Sequence, residues 1–350
     1  MERSSTEYGT FQTGDSAVNW ALFGASTIAS QYMISAIRAN AGQVSWVVSG
    51  SRDRAERYAR DNGIARGTSE MEEALNDPSV DAVYISSTNE KHKDQALAAI
   101  AAGKHVLCEK PLAMTLSDAA RMVAAAREKG VTLMVNHHLR CAGSHRAIRK
   151  LIAEGAIGAL RSVRVFHAVH LPEHLRGWRL DNPGAGGGVV LDMTVHDTDT
   201  VRFLLGEDPV SVTAETDATG MGAGVEDSAM SVWRMQSGTM VFSHVSFNHP
   251  FGTTGVEIHG SDGAIFAPGV ISQDPKGEVW LTTSEGRREI TFDRGNLYDS
   301  VLVEFGKAVR GEAHSGATGL DGVKSLAVAL AVREAARTGQ RQPLQFEEIA

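Results

Sequence analysis

The sequence predicts an α/β protein of two domains, a doubly wound parallel sheet followed by an α/β domain whose open sheet is largely antiparallel. Three observations carry this expectation. Short apolar runs alternate with helix-like segments from residue 18 to residue 135, the rhythm of parallel strands joined by crossover helices. From about residue 140 the rhythm changes to consecutive short strands with glycine-containing turns, as in an antiparallel sheet. The 350 residues also exceed the size at which one core keeps growing.

The leading segment, residues 1–17, is rich in Ser, Thr, Gly and acidic residues and reads as a flexible tail. The apolar run 18–23 reads as a buried strand that enters a helix through Gly24-Ala25-Ser26-Thr27-Ile28-Ala29. In the dinucleotide fingerprint G-x-G-x-x-G/A, the first glycine makes the tight turn and the last small residue packs helix on strand. The middle glycine lets backbone approach the pyrophosphate. Gly24 and Ala29 fit this pattern, and Ser26 replaces the middle glycine. The first domain, residues 18–140, is therefore expected to be a dinucleotide-binding Rossmann domain.

A second strand, 44–48, ends at Ser49, where NAD-preferring sites carry an acid for the ribose 2′-hydroxyl. Ser49 is neutral and Arg52, Arg54 and Arg57 follow it. A carboxylate ~4 Å from a 2′-phosphate would cost several kcal/mol at an effective dielectric near 20, whereas an arginine attracts it. The expected cofactor is NADP(H), with NAD(H) as the alternative. Asp53 reads as an early-turn acid favoured by the helix dipole.

Helices follow over 52–62 and 69–75, a strand over 80–86 and the polar turn Ser87-Thr88-Asn89. A helix over 91–102 contains His92. A strand over 105–108 then runs into Glu109-Lys110-Pro111, and a helix over 115–128 and a strand over 131–135 lead to Asn136. Open parallel sheets bind ligands outside the carboxyl ends of their strands. Gly24, Ser49, Ser87 to Asn89, Lys110 and Asn136 should therefore share one edge, and Lys110 becomes a candidate site residue rather than a surface lysine.

The second domain, 141–350, begins with a helix over 145–153 and a long strand over 160–170. A loop with Trp178, Arg179 and the glycine run 184–188 leads into a helix over 189–205. On that helix Asp192 and His196 are four apart and should share a face, so that the carboxylate orients the imidazole for acid/base work. Asp197 and Asp199 read as surface charges. Strands are expected over 210–218, 229–235, 239–247, 256–260, 264–266, 279–282 and 288–292, and helices over 298–310 and 322–337.

Composition narrows the function classes. A formal net charge of −8 argues against nucleic acid as the main partner, and no apolar run approaches the length of a membrane span. Two cysteines make no disulfide framework and no secretion signal is visible, so the expected location is the cytoplasm. Among 13 histidines, His170 and His174 are four apart but separated by Pro172, and no H-E-x-x-H or paired-cysteine pattern occurs, so no metal is expected.

The set Gly24 to Ala29, Ser87-Thr88-Asn89 with His92, the segment Gly103 to Leu112 containing Glu109-Lys110-Pro111, and Gly187-Gly188 leading to Asp192 and His196 resembles the Gfo/Idh/MocA oxidoreductases. The likeness covers nearly the whole chain after residue 18. It implies a sugar or polyol held between the domains over the nicotinamide, and a C-terminal sheet that often forms a subunit interface, hence a homo-oligomer. Lys110, Asp192 and His196 match the family's catalytic set. Gly24, Ala25, Ser26, Thr27, Ile28, Ser49, Arg54, Ser87, Thr88, Asn89, His92, Glu109 and Lys110 are the expected cofactor positions, with Ser49 and Arg54 serving NADPH preference. Trp178, Arg179 and His196 are expected to meet the substrate. Many relatives have proline at the position of Thr88 and glycine at that of Ser26. The implied activity is NADPH-dependent reduction of a sugar ketone, with the C2 carbonyl of 1,5-anhydro-D-fructose as first candidate and 1,5-anhydro-D-mannitol as its product. The alternatives are an NAD(P)-dependent dehydrogenase of an inositol or other polyol, and a cofactor-binding regulator without catalysis.

Overall fold

The computed structural model describes residues 12–13 and 16–346. Of the expected tail, Gln12–Thr13 pairs antiparallel with Ser16–Ala17 in a minimal hairpin; the rest lies outside the described residues.

The first sheet contains β1 (Asn19–Phe23), β2 (Gln43–Val48), β3 (Arg66–Thr68), β4 (Ala82–Ile85), β5 (His105–Cys108) and β6 (Leu133–Val135). All six are parallel, in the order β3-β2-β1-β4-β5-β6. This is the dinucleotide-binding order, whose direction reverses between β1 and β4. β1 and β4 are buried throughout because helices cover both faces, so they read as unbroken apolar runs. β3 escapes sequence reading because Arg-Gly-Thr offers no apolar run. It is an edge strand defined only by pairing with β2.

Odd and even residues of β1 serve different cores. Ala21 and Phe23 join the helices that follow β4 and β5, whereas Trp20 and Leu22 pack on the opposite face. That second face is closed partly from far down the chain. The helix Leu297–Val309 returns to it, placing Phe305 5.2 Å from Trp20 and Tyr298 4.9 Å from Tyr32, ring to ring.

The second sheet has nine strands: β7 (Leu160–Ala168), β8 (Pro209–Asp217), β9 (Ser228–Met235), β10 (Met240–Ser246), β11 (Thr254–Gly260), β12 (Gly263–Pro268), β13 (Trp280–Thr283), β14 (Gly286–Glu289) and β15 (Gln342–Pro343). They run in the order β14-β13-β12-β11-β7-β10-β9-β8-β15, and only β7 and β10 pair in parallel. The strand expected over 288–292 lies earlier, because a two-residue turn pairs Thr283 with Gly286 and fixes the register. In β9, Ala229, Ser231, Trp233 and Met235 face the helices while Met230 and Val232 face outward. With Met240, these two residues leave an apolar strip exposed on the uncovered face.

Candidate active site

The carboxyl edge of the first sheet is shaped by the turn after β1. Gly24 has φ +118°, and a Cβ there would lie 2.7 Å from the backbone of Ser86 and Ser87. No other residue type fits so close an approach. Ser26, in place of the usual glycine, turns its hydroxyl onto the sheet: Oγ is 2.7 Å from Ser86 Oγ and accepts the Ala29 N–H at 3.2 Å. Its side chain is thus bonded to neighbours, and residues 24–28 keep partial exposure at the mouth of the turn.

Ser51 caps the helix Arg52–Asn62, and Asp53 sits in its first turn, as the dipole favours. The three arginines there have different employments. Arg52 pairs with Glu73 at 2.8 Å and Arg57 is exposed, whereas Arg54 reaches back to donate to the Ala25 carbonyl at 3.0 Å. Arg54 thereby ties the end of β2, near half-buried Ser49, to the Gly24 turn. A glycine turn too tight for any Cβ, a neutral Ser49 and a guanidinium across the turn fit a dinucleotide at this edge.

On the β4 side, Ser87 donates to Gln95 at 2.7 Å and Thr88 to Glu90 at 2.7 Å. Asn89 is buried and its amide donates to the Gly186 carbonyl at 3.1 Å, so the glycine-rich loop of the second unit closes on it. Gly186 has no room for a Cβ, which would stand 2.8 Å from Asn89 and from Met114 Sδ. His92, expected at the cofactor, is fully buried beside this edge. Its ring nitrogens lie 2.8 Å from Pro111 O and 3.2 Å from Ser87 O, joining the two loops.

Lys110, next to a cis-Pro111, crosses to the second unit. Its Nζ donates to Asp192 Oδ1 at 2.6 Å and to the Asp192 carbonyl at 2.8 Å. Arg179 Nε stands 3.5 Å from the other Asp192 oxygen, and its guanidinium lies 4.6 Å from the ring centre of Trp178. Burial opposes the Asp192 charge, but Lys110 and Arg179 outweigh it and hold its pKa down at about 2. The carboxylate is therefore paired with Lys110, and no hydrogen bond joins it to His196 as the four-residue spacing suggests. Val190–Thr194 forms a π-helical turn before the α-helix Val195–Leu205, so the spacing no longer follows the α-helical repeat. Glu109 does not pair with Lys110; its Oε1 accepts from Tyr84 Oη and Asn136 Nδ2, both at 2.6 Å.

His196 is surrounded by rings that sequence reading did not assign: His138 at 5.1 Å, His137 at 6.0 Å and His167 at 6.3 Å between centroids. His138 stacks on Tyr298 at 5.2 Å, and the Tyr298 hydroxyl is buried without a partner. His137 and His138 had a signal, for they directly follow the carboxyl end of β6. His167 and Tyr298 had none, since only the return of distant segments brings them here. Asp197 and Asp199, read as surface charges, are both buried.

Burial and neighbouring cations push His196 well below the ordinary imidazole pKa, and burial pushes His137 to about 4, His138 to about 3 and His145 to about 4. These rings stay neutral in the folded chain while the unfolded chain protonates below about pH 6.5. Between those limits the unfolded state binds more protons, so each ring removes up to about 1.4 kcal/mol of stability per unit of falling pH. Asp192 adds its loss lower, below the ordinary carboxylate pKa and down to about 2. Thermal melts should therefore show Tm falling steadily between about pH 6.5 and pH 4.5. A flat Tm over that interval would mean that the rings already carry protons in the folded protein.

Residues 18–137 match the family model described as oxidoreductase family, NAD-binding Rossmann fold, and residues 145–266 match the GFO/IDH/MocA C-terminal domain. The chain is 53% identical over 327 residues to 1,5-anhydro-D-fructose reductase of Ensifer adhaerens, covering 93% of this chain and 98% of that one. It is 29% identical to myo-inositol 2-dehydrogenase of Thermotoga maritima, over 85% of this chain and 89% of the relative. Among solved structures, aldose-aldose oxidoreductase from Caulobacter crescentus complexed with glycerol superposes with a TM-score of 0.85 at 26% identity, covering 94% of this chain and 100% of that one. The two matched models, the parallel sheet with its glycine turn, the mixed sheet and the π-helical turn that brings Asp192 to Lys110 place this chain in the Gfo/Idh/MocA family of oxidoreductases.

Proposed function

We propose that this protein reduces a sugar ketone with NADPH, converting 1,5-anhydro-D-fructose to 1,5-anhydro-D-mannitol. The observation that carries the reading is Lys110, whose ammonium leaves the nucleotide edge of the first sheet and ends on Asp192 of the second unit, beside His196. A regulator without catalysis has no need for a cation held in that cleft.

When bound, NADPH would supply a hydride to the carbonyl carbon, and the residues of this chain manage the charge that appears on oxygen. Lys110 polarises that oxygen and gives it a proton, while Asp192 keeps the ammonium in place and is itself kept ionised by it. His196 is held neutral, so losing its proton would leave an imidazolate; its part is to hydrogen-bond the oxygen and fix its direction. Arg179, stacked on Trp178 and close to Asp192, lines the approach for hydroxyls of the sugar. Residues 24–28 would hold the pyrophosphate, and Ser49 with Arg54, which reaches the Ala25 carbonyl, would hold the 2′-phosphate.

Oxidation of NADPH with a panel of ketosugars tests the activity: fastest turnover of 1,5-anhydro-D-fructose is expected. Best turnover of an inositol with NADP⁺ would replace the reading by a polyol dehydrogenase, and no turnover of any sugar would remove it. For the cofactor, Ser49→Asp should move the ratio of kcat/KM for NADPH over NADH towards NADH by about tenfold or more, because like charge is then placed against the phosphate. An unchanged ratio would put the phosphate elsewhere. We assign the uncovered face with Met230, Val232 and Met240 to a second copy of this chain, and light scattering reads the resulting mass.

A further inference from the structure

The second unit contains a carboxylate and imidazole that sequence spacing did not disclose. Asp197, on the helix Val195–Leu205, is completely buried between that helix and the sheet. Ser243 of β10 donates its hydroxyl to Asp197 Oδ2 at 2.8 Å, and Oδ1 has no hydrogen bond. Facing Oδ1 at 3.7 Å is Nδ1 of His167, on β7, and that nitrogen atom is likewise buried and without a hydrogen-bond partner. β7 and β10 are neighbours in parallel register, so the two strands deliver His167 and Ser243 to the same carboxylate.

A buried carboxylate with one bonded oxygen is costly, and so is a buried ring nitrogen with nothing to meet. A shift of less than an ångström brings the two orphans to bonding distance and satisfies both. The bond requires the proton on Nδ1, which in the neutral imidazole leaves Nε2 as the acceptor. A pair serving only the core would have its whole ring sealed; His167 keeps 16% of its side chain exposed, beside His196.

We propose that Asp197 and His167 form a sugar-recognition pair, in which Asp197 fixes the tautomer and His167 Nε2 accepts a hydrogen bond from a hydroxyl flanking the reacting carbonyl. This rests on the sugar-ketone reading and deepens it. His167 is a specificity-determining contact, and Asp197 is a positioning residue that acts through it. The pair is carried by the second sheet, whereas the loops facing the nucleotide are carried by the first, so its effect falls on the sugar and not on NADPH.

The test compares the ketosugar with analogues each lacking one hydroxyl, using wild type, His167→Ala, His167→Gln and Asp197→Asn. A site built to bond a hydroxyl rejects the analogue without it, and wild type is expected to reject one analogue by about 10²-fold or more in kcat/KM. His167→Ala should shrink that ratio at least tenfold, mainly through KM for the full sugar, on the scale of one lost hydrogen bond. Asp197→Asn should shrink it in part, and His167→Gln should restore part of what alanine loses. Each ratio is taken on one preparation, so a variant that folds poorly still reports it. NADPH binding, followed by fluorescence titration, should not change. Loss that is equal for every analogue, or ratios unchanged in all three variants, overturns the proposal while the reductase reading stands. Wild type that binds NADPH and turns over no ketosugar overturns both.

Discussion

Lys110→Ala should lower kcat for ketosugar reduction by about 10² or more, the loss typical of removing one preorganised charge at a developing oxyanion. The same change should leave NADPH affinity within a few-fold, since residues 24–28, Ser49 and Arg54, which we propose meet the nucleotide, make no bond to Lys110. The effect on Asp192 sharpens the test. Without the ammonium, its carboxylate keeps only Arg179 at 3.5 Å in a buried setting, and its pKa should rise from about 2. Stability near pH 4 should then fall relative to wild type, because a smaller depression leaves less to be gained from ionising the group on folding. Stopped-flow traces of NADPH oxidation and melts at two pH values measure both. Near-normal kcat in the variant would dismiss Lys110 from the chemistry.

The largest loss of stability is expected at Arg140. Its guanidinium donates to both oxygens of Asp199 at 2.7 Å and stands 2.9 Å from Asp321. Arg202 meets the same Asp321 oxygen at 3.0 Å and Asp208 at 2.6 Å, and Lys324 completes the chain to Asp208 at 2.6 Å. Replacing one member of a buried network strands its partner, and Asp199 has only 2% of its side chain exposed. Arg140→Met should therefore destabilise by ~3–5 kcal/mol, read as a lower denaturation midpoint with unchanged slope. Replacing Arg140 and Asp199 together by apolar residues should recover much of the loss, because the orphaned charge is then gone. Equal destabilisation by the single and the double change would show that packing, not charge, is at stake.

What the sequence disclosed divides by the range of the interaction. The Gly24 turn, the limits of β5 and the helix Arg52–Asn62 are local: glycine geometry, an apolar run and the Ser51 cap decide them within a few residues. Lys110 could be placed at a sheet edge because strand ends are local too. Its partner could not be assigned correctly, since the spacing of Asp192 and His196 assumes an α-helix and the π-helical turn breaks that geometry. Asp197 and Asp199 are indistinguishable from surface acids in a sequence. Their burial depends on Ser243 and Arg140, 46 and 59 residues away. Glu109 was likewise open, because Tyr84 and Asn136 reach it from two other strands.

The helix Leu297–Val309 closes one face of the first sheet with Leu297, Tyr298, Val301, Leu302 and Phe305, all buried against Trp20, Met33 and Ile37. The chain thus borrows part of its nucleotide-binding half from its far end. A fragment cut near residue 140 would bare those rings and aliphatic groups to water and be inclined to aggregate. Exchange of the front half between relatives would have to carry this helix along. A single segment consequently couples the packing beneath the first sheet, where Tyr298 stacks on Tyr32, to the ring cluster around His196, where Tyr298 stacks on His138.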